Sequence, residues 1–152
     1  MQIMITLSKI KEKSPCQSGW KKILEAKQHL GMDAEWPLSD ALDSNGLDDT
    51  LWALKCMPEH SRLWRLYAVW CARQVQHLMT DPRSLAALDV AKRHANGNAT
   101  DEELYAAGDA AWAAAGAAAG AAVRAAARAA AGAAAWDSQT EKLRQILDTG
   151  EV

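Results

Sequence analysis

An all-α fold follows from three features of this sequence. Apolar residues recur at spacings of three and four along most of the chain, strand-like alternation is confined to Ile3, Ile5 and Leu7, and Ala dominates the C-terminal third. The expected architecture is a compact multi-helix bundle packed around a long Ala-rich C-terminal helix, within a single all-helical domain over 1–152. Trp- and Leu-rich helices are expected in 1–97, and the Ala-rich helix with a C-terminal helix in 100–147. The chain of 152 residues suits one domain.

The elements can be justified in order. Thr6 is placed to cap a short helix with Leu7 and Ile10 inward, closed by Pro15. Trp20, Ile23, Leu24, Lys27 and Leu30 write a second helix, with Gly31 where a left-handed residue ends it. In EWPLSDALDSNG, Pro37 is read as a first helical residue and Asn45-Gly46 as the terminator. Asp48 and Asp49 then favour a new N-terminus by side-chain capping and by the helix dipole, leading into Leu51, Trp52 and Leu54 before Pro58.

Leu63, Leu66, Tyr67, Trp70, Cys71, Val75 and Leu78 hold one face of a fifth helix, the strongest amphipathic pattern present. Asp81-Pro82 opens a sixth with Leu85, Leu88 and Ala91 inward, and Asn96-Gly97-Asn98 breaks it. Thr100 and Glu103 have the spacing of a capping box, from which the Ala helix starts.

Residues 106 to 135 include 21 Ala in 30 positions, and the exceptions are ordered. Gly108, Trp112, Gly116, Gly120, Arg124, Arg128, Gly132 and Trp136 recur every four residues, a row that winds about 40° per step along a helix surface. Such a surface of methyl groups admits close neighbours, and Trp52, Trp64 and Trp70 are the expected bulky partners. A continuous helix over 101–147 would span about 70 Å, too long for a compact domain. A break near Gly116–Gly120, or a restart at the second capping-box pattern, Ser138–Glu141, is therefore expected. Were the helix instead to project, Gly116 and Gly120 would offer a close contact to a second copy.

Chemistry leaves a thinner trace. His29, His60, His77 and His94 form no H-x-x-x-H pair, and Cys16, Cys56 and Cys71 lack C-x-x-C spacing. There is no G-x-S-x-G and no phosphate-cradling glycine loop, so no catalytic residue, metal or cofactor is expected. Arg124 and Arg128 at the centre of the Ala tract would each cost about 2.5 kcal/mol in a bilayer. No membrane association is expected, and the bacterial cytosol is the expected location.

Charge is more informative. Residues 9 to 27 hold six Lys, whereas 33 to 59 hold seven acids against one Lys, in a chain of net charge −2. The acids Asp33, Glu35, Asp40, Asp43, Asp48 and Asp49 suit a face that docks on a basic groove, and Arg124 with Arg128 are further candidates for partner contact. Charge reversal at Asp40, Asp43, Asp48 and Asp49 is expected to weaken binding with little loss of fold.

The stretches ITLSKIKEKSPCQSGW and SNGLDDTLWAL resemble the N-terminal pattern of small Ala-rich proteins encoded by bacteriophages and prophages. DPRSLAALDVAKRHANGNATDEELYAAGDAAWAAA, running into Ala-Arg repeats, also resembles an Ala-rich family of immunity proteins. Gly116 and Gly120 stand where tracts of those families often carry Trp. The resemblance implies an all-α, non-enzymatic protein that binds and occludes a bacterial target, such as a defence nuclease (an anti-CRISPR or anti-restriction role) or a toxin. It carries over no catalytic residue. The alternatives are a structural module that dimerises through the Ala-rich helix and a nucleic-acid-binding accessory protein using Lys9 to Lys27 with Arg124 and Arg128; the net charge argues against the latter.

Overall fold

The computed structural model describes the backbone of residues 1–79, 81–117 and 121–152, and their side chains apart from Leu78 and residues 112–134. Two strands, β1 (Met4–Ile5) and β2 (Trp36–Pro37), accompany eight α-helices among the described residues. These are α1 (Leu7–Glu12), α2 (Gln17–Lys27), α3 (Asp40–Ser44), α4 (Leu47–Ala53), α5 (Ser61–Gln74), α6 (Pro82–Ala95), α7 (Asp101–Ala117) and α8 (Ala121–Thr149). The chain is all-α. Its residues gather in two compact units, one of Met1–Ser61 with Thr140–Val152 and one of Arg62–Gln139. No described helix is long and apolar enough to cross a membrane.

The first unit is built on an extended pair that the helical reading of Pro37 missed. Met4 pairs with Pro37 and Ile5 with Trp36, antiparallel, and the Leu38 N–H donates to the Ile3 carbonyl at 2.9 Å. Alternate residues on both segments point inward, so Ile3, Ile5, Trp36 and Leu38 are all buried. A proline is tolerated here because it ends a two-residue edge strand, where no ladder requires its missing N–H. The helix begins only at Asp40.

The C-terminal part of α8 completes this core. Leu143, Ile146 and Leu147, at helical spacing, are each 0% exposed. The Ile3 N–H donates to the Leu147 carbonyl at 2.7 Å, and the Met1 ammonium donates to the Thr149 carbonyl. Carbonyls of a last helical turn lack intrahelical partners and favour a cation, so the chain start supplies what the helix end needs. α8 runs unbroken through Ser138–Glu141, and the restart expected there does not occur. No glycine or proline lies between Gly132 and Ser138 to end the helix, and a capping pair acts only where the chain leaves helical geometry.

Several expectations hold in detail. Thr6 caps α1 by accepting from the Lys9 N–H at 3.2 Å, with Leu7 and Ile10 buried. Gly31 adopts φ +93° and Asn45 closes α3. Leu30, by contrast, is 43% exposed. α2 tightens after Lys27 into a 3-10 turn over Gln28–Leu30, and three residues per turn swing Leu30 off the buried face. Asp48 and Asp49 lie in the first turn of α4 but do not cap it, since Gly46 at φ +85° occupies the cap position. At the helix start they act through the dipole rather than as caps.

In the second unit, Leu63, Tyr67 and Val69 are the buried residues of α5, while Leu66, Trp70 and Cys71 are half-buried. Tyr67 stacks on Trp70 with ring centroids 6.5 Å apart and donates its hydroxyl to the Gln139 carbonyl at 3.0 Å. Burial holds its phenol well above the ordinary tyrosine range. α6 packs against α7. Leu85, expected inward, is 37% exposed; Leu88 and Ala91 are half-buried, and the buried position is Ala95.

The capping box is present as expected: the Thr100 N–H donates to Glu103 Oε2 at 2.8 Å, and the Glu103 N–H returns to Thr100 Oγ1 at 3.2 Å. α7 includes Gly116 and ends at Ala117; the rest of the expected break near Gly116–Gly120 lies outside the described residues. So do the side chains of Arg124 and Arg128, and the packing of the Ala tract against Trp residues.

Asp81 caps α6, accepting from the Arg83 N–H at 2.9 Å and from its guanidinium at 3.0 and 2.7 Å. The Arg83 side chain, then its backbone N–H, hold this carboxyl down at about 2. A carboxyl depressed on folding stabilises the native state fully above its unfolded value, and that contribution disappears as pH falls through about 2. Asp81→Asn should therefore leave helicity unchanged at pH 2 relative to the parent and lower the thermal midpoint at pH 5 and above, as read by circular dichroism.

Candidate functional site

Within the first unit, α1 to α4 enclose an apolar recess of about 80 Å³. Its buried lining includes Ile10 of α1, Ile23 of α2, Ala41 of α3 and Ala53 of α4. Cys16 is exposed, while Asn45, Asp49 and Trp52 are half-exposed, so these form the polar and aromatic margin.

Asn45 ties that margin together. Its side-chain amide donates to the Gly19 carbonyl at 2.9 Å and to Asp49 Oδ2 at 3.0 Å, bridging α2 to the start of α4. Gly19 permits the approach, since a Cβ there would lie 3.2 Å from both Asp49 Oδ2 and Cys16 Sγ. Trp52 carries the Lys55 ammonium 3.9 Å from its ring centroid, a cation–π contact.

Cys16 heads α2, where its sulfur accepts from the Gly19 N–H at 3.4 Å and lies 3.5 Å from the Ser18 hydroxyl. The Ser18 hydrogen bond, then that of the Gly19 N–H, pull the thiol below its ordinary range. Burial pushes the Cys56 and Cys71 thiols upward. Limiting iodoacetamide at pH 7.5 should thus alkylate Cys16 at least tenfold faster than the other two, as checked by peptide mass spectrometry; equal labelling would contradict this ordering.

The structure distributes the predicted acids unevenly. Asp33 accepts from the Ser8 hydroxyl at 2.5 Å. Asp40 pairs with Lys27 at 2.5 Å, and Lys27 is only 15% exposed, with its ammonium 5.2 Å from the Trp36 ring centroid. Asp43 receives both guanidinium nitrogens of Arg144, at 2.5 and 3.2 Å, and Asp49 lies 3.8 Å from Lys22. Glu35 and Asp48 are exposed and show no ion pair among the described residues. Asp49 alone of the six borders the recess.

Cys16, Gly19, Asn45 and Trp52 were not legible as site residues, although the Asn45-Gly46 turn and the Gly19 beside a Trp were visible in the sequence. Among the described residues, no three His, Cys, Asp or Glu side chains gather as a metal-ligand set.

The first unit is thus a small, mainly helical body with a compact apolar recess bordered by the Asp49 carboxylate. No family model matches the chain, and no curated protein or solved structure matches it.

Proposed function

We propose that the protein is non-enzymatic and acts by binding a bacterial protein and occluding its working surface, as a phage- or prophage-type inhibitor of a defence nuclease or a toxin would. The observation that carries this reading is the presence, in one unit, of an apolar recess bordered by the Asp49 carboxylate and of exposed carboxylates at Glu35 and Asp48 that make no ion pair among the described residues. Apolar area supplies affinity on association, and surrounding charge of one sign steers a partner of the other sign. The fitting partner is a protein with a basic surface, approached in the host cytosol.

The test is capture from bacterial lysate on the immobilised full chain, compared with a Glu35→Lys/Asp48→Lys variant. The reading expects one or a few basic proteins retained by the parent, released by raised salt and lost by the variant. Identical retention by both would remove these two acids from the mechanism.

A further inference from the structure

A second feature, in the Arg62–Gln139 unit, is independent of the recess. His94 stands in the last turn of α6, its side chain 17% exposed, and bonds through both ring nitrogens. Nε2 lies 2.6 Å from Asp101 Oδ1 in the first turn of α7, and Nδ1 meets the Arg65 guanidinium of α5. Arginine has donors and no acceptor, so Nδ1 must offer its lone pair and the ring proton must sit on Nε2, directed at Asp101. The contact with Arg65 therefore requires a neutral imidazole.

We propose that His94 is a proton-sensitive latch: neutral, it joins Arg65 of α5 to Asp101 of α7, and protonated, it keeps Asp101 and releases Arg65. Protonation turns Nδ1 from acceptor into donor and sets a cation against the guanidinium. At the same time it turns the bond to Asp101 into a charge-assisted one. Proton binding and Arg65 docking thus exclude each other, and each must weaken the other by the same factor.

The surrounding charges do not duplicate the switch. From α5, Arg62 bonds the Asn96 side chain at 2.9 Å. From α6, Arg93 lies 3.6 Å from Glu103 of α7 and donates to the Asn98 carbonyl at 3.1 Å. Glu103 is also engaged in the cap with Thr100. Of the side chains in this cluster, imidazole is the one whose charge ordinarily changes between pH 5 and 8.

The experiment is a pH titration of the full chain by nuclear magnetic resonance and amide exchange. At pH 8 the His94 ring should be the Nε2–H tautomer. Between pH 8 and 5 the Arg65 side-chain signals and the amides of residues 63–69 should shift together with the ring, and protection factors in that segment, referred to the intrinsic exchange rate at each pH, should fall at least threefold. His94→Gln, whose amide oxygen can accept from Arg65 but takes up no proton, should keep the segment protected at pH 5. Arg65→Ala should leave the ring titrating with no pH step in α5 exchange. An Nδ1–H tautomer at pH 8, or a pH step in α5 that survives in either variant, would overturn the latch.

Discussion

Leu143→Ala is expected to lower the free energy of unfolding of the first unit by about 3 kcal/mol, within the 2–5 kcal/mol range for emptying a buried leucine site. The side chain is fully buried, as are Ile146 and Leu147 one turn on, and the same segment receives the N-terminal strand through the Ile3 to Leu147 hydrogen bond. Little can collapse into the space without disturbing that strand, which argues against the low end of the range. Leu85→Ala is the matched control: at 37% exposure it should cost less than about 1 kcal/mol. Urea unfolding followed by circular dichroism separates the two. A loss below about 1 kcal/mol at Leu143 would mean that the chain end is not part of the core, and the description of the first unit would fail with it.

The sequence exposed the helices well because their punctuation is local. Thr6, Asp81 and the Thr100–Glu103 pair act on N–H groups two or three residues away, so their geometry is determined by near neighbours and survives whatever the rest of the chain does. The β1–β2 pair escaped for the opposite reason. Two residues of strand carry too short an alternation to outweigh a helical period, and their partner lies more than 30 residues away, so Ile3, Ile5, Trp36 and Leu38 show their common face only once paired. Ser138–Glu141 is the converse error: a local signature without the break that gives it meaning.

The candidate site was legible as composition and obscure as geometry. A run of acids from Asp33 to Asp49 stands out in the sequence, yet which of them are committed to cations depends on Lys27, Lys22 and Arg144, the last of these about 100 residues distant. Asn45 reads as a turn former, and its bridging of Gly19 to Asp49 is a tertiary fact. A recess lined from four separate helices has no periodic signature at all.

That distribution changes which charge reversals inform on function. Reversing Asp40, Asp43, Asp48 and Asp49 together would mix binding with folding, because three of the four are paired within the chain. Asp40→Lys would set a second ammonium against Lys27, which is 15% exposed and lies by the buried Trp36 ring. Breaking a fully buried pair costs 3–5 kcal/mol; with Asp40 itself partly in water, a loss of roughly 2 kcal/mol of stability is expected. Glu35→Lys with Asp48→Lys touches no ion pair among the described residues, and the main loss is the dipole contribution of Asp48 at the start of α4, so stability should fall by no more than about 1 kcal/mol. If the carboxylate face steers a basic partner, this pair should nevertheless lower affinity at least tenfold, about 1.4 kcal/mol, mostly through a slower association rate that no longer falls with added salt. Surface plasmon resonance on the captured partner at 50 and 300 mM salt measures both. An unchanged association rate in the stable double variant would separate the acids from recognition and leave the apolar recess as the sole basis for binding.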